Sequence, residues 1–255
     1  MNENKLIIEQ FNKGALNFDS WSVTQNEKEM KSLSEFCELN KKDVLLDVAC
    51  GTGAFSLFSS SRVNSVTGID ISEGMIEVAS ENKINKKIEN VKFLCQNVED
   101  IEMDNDLFSV VISKSAFHHM KNYKKVFAEM ARCCQPGGRI CIQDIMAYEN
   151  DKVNDYFEYM EALIDKSHYK TYSKREFFNL FKDNNIKISG IFESESQLDF
   201  HDYVEHVVQS KSNKGKIALF LMQALKNPDI ASCFIEREGR LLWKRKVCTI
   251  IGYKR

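Results

Sequence analysis

The sequence predicts an α/β protein in which helices cover both faces of a parallel β-sheet, a doubly wound fold. Short apolar runs alternate with amphipathic helical segments between residues 44 and 144, which is the pattern of consecutive βαβ units. A glycine turn follows the first run, as it does where a strand leads into a helix of such a sheet. The length of 255 residues suits one large domain with additions, and no repeat or low-complexity linker divides the chain. We therefore predict a single domain over residues 1–255.

Seven strands are predicted, five in regular succession and two after an irregular region. They are Val44–Val48, Ser65–Ile69, Val91–Leu94, Phe108–Ser113, Ile140–Asp144, Lys187–Phe192 and Val247–Tyr253. Capping residues mark the helices. Ser72 is expected to cap a helix, and the sequences Thr24–Glu27 and Ser173–Glu176 predict capping boxes.

Several segments with helical pattern have no predicted place in the sheet. We expect N-terminal helices in residues 1–40, a core in residues 41–146, helical insertions in residues 147–184 and 195–240, and the last strand in residues 247–253. The region between the last two strands is far longer than a hairpin needs. The helical segments are therefore expected to form a lid over the carboxyl edge of the sheet.

Composition excludes several classes of protein. The formal net charge is −2, whereas nucleic-acid binders usually carry a basic surplus. The longest apolar run, Ile217–Met222, is too short to span a bilayer, and the N-terminus does not look like a secretory signal. A cytoplasmic protein with no nucleic-acid partner and no stable membrane association is expected. The basic triplet Lys244–Lys246 is interpreted as a solvated flank of the last strand.

The eight cysteines include no C-x-x-C pair and lie mostly in apolar segments. Reduced, buried thiols are expected, and no metal site is predicted.

A glycine turn and an acidic residue predict a ligand site. Glycine at positions 51 and 53 lets the backbone approach a ligand, and Asp70 at the end of the second strand is placed to accept both hydroxyls of a ribose. The alternatives are a tight turn without a ligand and a simple helix cap. A nicotinamide-dependent dehydrogenase is a rival, but its fingerprint wants a third glycine where this chain has Ser56.

Two further segments, Gln96–Glu99 and Ser113–His119, complete a wider pattern with Asp47–Gly53, Gly68–Ser72 and Gln135–Arg139. With these five motifs in order, residues 47–144 resemble the class I S-adenosylmethionine methyltransferases, in particular the ubiquinone/menaquinone-biosynthesis branch. The resemblance implies a Rossmann-like, seven-stranded sheet with the last strand antiparallel. It also implies S-adenosylmethionine as the methyl donor and S-adenosylhomocysteine as the product.

The resemblance further implies which residues hold this cofactor. They are Asp47, Ala49, Gly51, Gly53, Asp70, Ile71, Met75, Asn97, Val98, Ser113 and Lys114. Asp70 would bind the ribose, and Ile71 and Met75 would flank the adenine. The family usually has Asp at the position of Asn97. An amide still accepts and donates hydrogen bonds, so binding should survive with altered strength.

The candidates for chemistry are His118, His119 and Asp144, with His168 facing them from the lid. Methyl transfer from a sulfonium is an in-line displacement, which needs a base only if the acceptor must lose a proton. We rank His118 first because imidazole titrates near neutrality and because the family carries it beside the methyl group. Each of the four also has a structural alternative, such as capping a helix or binding a backbone N–H.

The acceptor is expected to be a small, partly apolar molecule. Phe11, Trp21, Phe117 and Tyr156 are candidates for its walls, although helix-spaced aromatic residues more often belong to a core. A rival interpretation is a methyltransferase-like fold that binds the cofactor without catalysis. A monomer or a homodimer is expected.

Overall fold

One eight-stranded sheet forms the centre of the computed structural model, which describes residues 3–207 and 210–255. The strands are β1 Val44–Val48, β2 Ser65–Asp70, β3 Val91–Cys95, β4 Phe108–Lys114, β5 Cys134–Ile145, β6 Ile186–Asp199, β7 Phe234–Arg237 and β8 Arg240–Lys254. Their order is β3-β2-β1-β4-β5-β8-β6, and β7 pairs with β8. Strands β1 to β5 are parallel, whereas β8 is antiparallel to both β5 and β6. The predicted fold class, including the antiparallel last strand, is confirmed.

Helices lie on both faces of this sheet and beyond its carboxyl edge. They are α1 Glu3–Ser20, α2 Glu27–Phe36, α3 Ala54–Ser59, α4 Glu73–Asn85, α5 Tyr123–Cys133, α6 Asp151–Ile164, α7 Lys174–Asp183, α8 Phe200–Glu205, α9 Lys211–Ala224 and α10 Pro228–Ala231. In the described part of the chain, none is long and apolar enough to cross a membrane.

The predicted helix caps are confirmed at two of three places. The Ser72 hydroxyl accepts from the Met75 N–H, and Ser173 forms a full capping box with Glu176. The box predicted at Thr24 is wrong, because Asn26 caps α2 by accepting from the Glu29 N–H. Residues 21–25 instead form a turn, closed by a hydrogen bond from the Gln25 N–H to the Trp21 carbonyl.

Apolar side chains of the covering helices bury both faces of the sheet. One face is covered by α2 and α3, and the other by α5 and α7. Phe177, Leu180 and Phe181 of α7 join the same buried cluster as Phe127 of α5. The insertion predicted over residues 147–184 is corrected accordingly: α7 covers the sheet and is not part of a lid.

A second apolar core lies beyond the carboxyl edge of the sheet, in what we call the cap layer: α6, α8, α9, α10 and β7. Trp243 of β8 is 1% exposed at its centre and stacks on Phe157 of α6 at 4.9 Å between ring centroids. Strands β6 and β8 extend into this layer and pair as far as Asp199 and Leu242. Residues 195–240 are therefore not wholly helical as predicted. They begin with the end of β6 and end with the β7–β8 hairpin.

Candidate active site

A cavity of about 350 Å³ lies at the carboxyl edge of the sheet, between the strand ends and the cap layer. Strand order reverses between β1 and β4, the place where ligands bind in open α/β sheets. The lining is contributed by α1, the turn after β1, the end of β2, the segments after β3 and β4, residues 165–169, and α8 and β8. One continuous cavity therefore joins the predicted cofactor residues to the cap layer.

The turn after β1 forms part of the floor of this cavity. Ala49 and Gly51 have φ values of 58° and 54°, a left-handed conformation that is unfavourable for Ala49 because it has a Cβ. Space beside Gly51 is open, since a Cβ there would meet no heavy atom within 4 Å. Thr52 lines the cavity, and its buried hydroxyl has no hydrogen-bond partner among the described residues. These are features of a backbone shaped around a ligand.

Gly53 has a different reason to be glycine. Its φ is 76°, and a Cβ would lie 2.4 Å from Cζ of Phe93. It does not line the cavity. Ser113 does not line the cavity either, because its side chain is fully buried in β4. Its hydroxyl has no hydrogen-bond partner among the residues described.

Two buried carboxylates face the same floor. Asp70 Oδ2 accepts from the Gly51 N–H and Oδ1 from the Ser72 N–H, both at 2.9 Å. Burial raises the Asp70 pKa, and these N–H donors offset part of the effect. Asp47 accepts from the Ser56 hydroxyl at 2.6 Å, and burial raises its pKa to about 6. Carboxylates so poorly solvated favour a ligand that brings hydroxyl or cationic groups.

The other predicted cofactor residues extend this floor on both sides. Ile71, Met75, Asn97 and Val98 line the cavity around the end of β2. The Asn97 side-chain oxygen accepts from the Glu99 N–H at 3.0 Å, so one of its two lone pairs is occupied.

Lys114 lines the cavity at the end of β4. Its ammonium lies 3.6 Å from the Glu29 carboxylate, and this ion pair connects β4 to α2.

His118 and Asp144 form a close pair at the edge of the cavity. Nδ1 of His118 lies 2.7 Å from Oδ1 of Asp144, which also accepts from the Ile145 N–H. The His118 imidazole lines the cavity and is 16% exposed, whereas Asp144 is buried behind it. Burial lowers the His118 pKa, but the Asp144 charge and hydrogen bond raise it by more, so the pKa lies above its usual value. Only one of these two predicted residues reaches the cavity.

His119 also lines the cavity but stands in a different environment. Its Nδ1 lies 3.1 Å from the Ser167 hydroxyl, which donates to Asp165, and its ring meets Phe11 edge-on at 5.0 Å. Burial and the neighbouring His118 lower its pKa to about 3, so the ring is neutral at physiological pH. His119 is better suited to packing than to proton transfer.

His168 lies near the same pair. It lines the cavity, its ring centroid is 5.9 Å from that of His118, and its Nε2 is 3.1 Å from the Glu158 carboxylate.

The predicted aromatic walls divide into two groups. Phe11 and Trp21 line the cavity. Phe117 is fully buried beneath it, and Tyr156 stacks on Phe220 inside the cap layer, so these two belong to the core.

Sequence reasoning missed several residues of the cavity wall, among them Tyr203, His206 and Arg245. Arg245 belongs to the basic triplet interpreted as a solvated flank, and that interpretation is wrong for it. Its side chain is 12% exposed and donates to Glu161 of α6 at 2.9 Å. The signal available was the alternation of a strand, which places Arg245 on the face opposite to Lys244 and Lys246.

The site combines a glycine turn at the switch point, an acidic residue ending β2 and a largely apolar cavity with a few converging polar groups under a cap layer. This combination is typical of an enzyme that holds a nucleoside-containing cofactor beside a small second ligand. Residues 39–185 match the family model of a methyltransferase domain. The chain belongs to this family, and the prediction of an S-adenosylmethionine-dependent methyltransferase is confirmed. The dehydrogenase alternative is set aside.

Similar proteins carry the same family name. An uncharacterized methyltransferase, YcgJ of Bacillus subtilis, is 26% identical over 181 residues, which cover 71% of this chain and 72% of the relative. A demethylmenaquinone methyltransferase of Listeria monocytogenes is 27% identical over 151 residues, 56% of this chain and 64% of that protein.

Solved structures share the fold. The crystal structure of YcgJ gives a TM-score of 0.82 at 23% identity, covering 89% of this chain and 98% of that one. A geranyl diphosphate C-methyltransferase of Streptomyces coelicolor gives 0.62 at 16% identity, covering 89% and 78%.

Proposed function

We propose that this chain transfers the methyl group of S-adenosylmethionine to a small acceptor enclosed by the cap layer, and that His118 takes the acceptor's proton. The observation that carries the proposal is the His118–Asp144 pair, which presents one ring nitrogen to a cavity shared with the glycine turn.

The floor of the cavity fits the cofactor. Asp70 keeps free lone pairs after accepting two backbone N–H groups, as binding of two ribose hydroxyls requires. The open space beside Gly51 offers room for a ligand close to the backbone. Lys114 and Asp47 offer opposite charges for an amino-acid end. When bound, S-adenosylmethionine supplies a methyl group on a sulfonium, an already activated leaving group.

His118 has the geometry of a general base. Its Nδ1 proton is held by Asp144, which leaves Nε2 as the acceptor. Asp144 also stabilises the imidazolium that forms when a proton is taken up, since its buried carboxylate lies 2.7 Å away. The role suits an acceptor with an acidic O–H, S–H or C–H group. It also requires that the rate rise with pH through a pKa above the ordinary 6.5 of histidine.

The test combines two variants with pH profiles. His118→Ala should lower kcat by roughly 10²–10⁴-fold and leave S-adenosylhomocysteine affinity unchanged in calorimetry. Asp144→Asn should move the rising limb of the profile to lower pH, because it removes the charge that raises the His118 pKa. Formation of S-adenosylhomocysteine with a panel of small acceptors measures both.

Two outcomes would contradict the proposal. A His118→Ala enzyme that keeps its rate and pH profile would leave alignment alone as the source of catalysis. Tight cofactor binding without turnover of any acceptor would favour the non-catalytic alternative. The predicted monomer or homodimer and the absence of a nucleic-acid partner stay predictions.

A further inference from the structure

Arg245 presents a buried cation to the part of the cavity formed by the cap layer. It lies on the extension of β8, where its guanidinium carbon is 4.8 Å from the ring centroid of Tyr203 and 5.1 Å from that of Trp243. Within residues 3–207 and 210–255, the guanidinium donates one hydrogen bond, from Nη1 to Glu161. Its buried Nε–H has no acceptor in the same ranges. A guanidinium has five N–H donors, so most of them are unused.

Glu161 accepts only one of the five guanidinium donors. One of its oxygens accepts from Arg245 and the other from the Tyr203 hydroxyl, so the side-on, two-bond pairing usual for arginine and carboxylate is not formed. Glu161 stands behind the wall, whereas Arg245 lines the cavity. The pair therefore turns its positive end to the cavity and its negative end to the cap layer.

Flat apolar surfaces surround this positive end. Trp21 stacks on His206 at 4.0 Å between ring centroids, and Tyr203 stacks on the same His206 at 4.9 Å. Burial lowers the His206 pKa to about 4, so its ring is neutral at physiological pH and adds no second cation. Phe18 closes the wall edge-on to His206 at 4.8 Å. The region suits a planar, unsaturated molecule with one charged end.

We propose that Arg245 binds a carboxylate of the methyl acceptor, and that the acceptor is a small, planar, unsaturated carboxylic acid. The inference rests on the proposed function, because it describes the second ligand of that cavity. It assigns Arg245 to substrate binding. Tyr203 is a positioning residue, since its hydroxyl competes with the guanidinium for one Glu161 oxygen and so disfavours the side-on pairing.

Matched acids and amides test this inference without turnover. Benzoate, cinnamate and 2-naphthoate are titrated by calorimetry into protein saturated with S-adenosylhomocysteine, each beside its neutral amide. The best-binding acid should bind at least about tenfold more tightly than its amide, as expected for charge-assisted hydrogen bonds in a buried site. Arg245→Gln should reduce this preference to less than about threefold, whereas Arg245→Lys should retain part of it.

Controls separate binding from folding. Arg62→Gln removes a guanidinium that lies over Phe58 outside the cavity, and it should keep the full preference. If Arg245→Gln does not fold, Tyr203→Phe decides: it keeps both the ring and Arg245, but frees a Glu161 oxygen to capture a second N–H. The preference for the acid should then fall at least about threefold.

Equal affinity for acid and amide in the unchanged protein, or a preference that survives in Arg245→Gln or Tyr203→Phe, would overturn the inference. S-Adenosylhomocysteine binding and the His118 pH profile are separate measurements, so they test the proposed function independently of the role inferred for Arg245.

Discussion

Asp47→Asn should stabilise the ligand-free protein above pH 6. Asp47 is buried at the end of β1 and accepts a hydrogen bond from Ser56, which an amide oxygen can also accept. Burial raises its pKa from 3.8 to about 6. The folded state therefore favours the protonated carboxyl. The stability that this preference contributes is complete below pH 3.8 and is lost as the pH rises through about 6.

The size of the effect follows from the shift. A change of about 2 pKa units corresponds to roughly 3 kcal/mol between the two protonation states, which is an upper bound for the gain. At about 2–4 °C per kcal/mol for a domain of this size, Asp47→Asn should melt several degrees higher at pH 8. The same change should weaken cofactor binding if the carboxylate faces the amino-acid end of the ligand.

Thermal melts of the ligand-free proteins between pH 5 and pH 8 measure the effect. The difference between variant and unchanged protein should be largest at pH 8 and should shrink towards pH 5, where the native carboxyl is also protonated. Asp104→Asn, at an exposed position, is the matched control and should show no such trend. A variant that is less stable at pH 8, or a difference that does not depend on pH, would refute the reasoning.

Three further outcomes are expected. Asp70→Ala removes a carboxylate placed for two charge-assisted hydrogen bonds to ribose hydroxyls, of roughly 1.5–3 kcal/mol each. Calorimetry should therefore record at least a tenfold loss of S-adenosylhomocysteine affinity. Unchanged affinity would mean that Asp70 only stabilises the turn. His119→Ala should lower the melting temperature and should reduce kcat less than His118→Ala does, because the neutral ring packs on Phe11. A larger loss of kcat than in His118→Ala would contradict this. Amide exchange in α1 and the cap layer should slow on cofactor binding; protection confined to the sheet would argue against a closing lid.

The central strands could be predicted because both of their faces are buried. Strands β1 and β4 read as mostly apolar runs, and their bounds agree with the prediction to within a residue. The outer half of β6 could not be found in this way. Residues Glu193–Gln197 are polar at every position, and the ladder that holds them depends on residues of β8 about fifty positions away in sequence. The β7–β8 turn at Glu238 and Gly239, both with positive φ, is a hairpin signal that the sequence did contain.

The predictability of the site follows the same division. The predicted cofactor residues follow strand ends, so local motifs identify them even where, as for Gly53, the glycine serves packing. The His118–Asp144 contact joins two residues that the sequence marked only as separate candidates. Arg245 and Glu161 are 84 positions apart, and no local sequence pattern predicts a contact at that separation. The contact proposed for acceptor binding is tertiary, whereas the predicted cofactor residues lie in local motifs that a sequence displays.

The pairing of Asp199 with Leu242 has an evolutionary consequence. The chain leaves the sheet for α8 and returns to it at neighbouring positions, so the intervening segment closes a loop whose ends are already held together. The entropy of closing such a loop grows only slowly with its length, and segments of other lengths and sequences can be grafted between the same two anchors at modest cost. Arg245 lies outside that segment, within the ladder itself. Chimeras that exchange residues 200–241 between relatives but keep tyrosine at position 203 should therefore alter the shape of the acceptor that is accepted while they inherit the same charge preference.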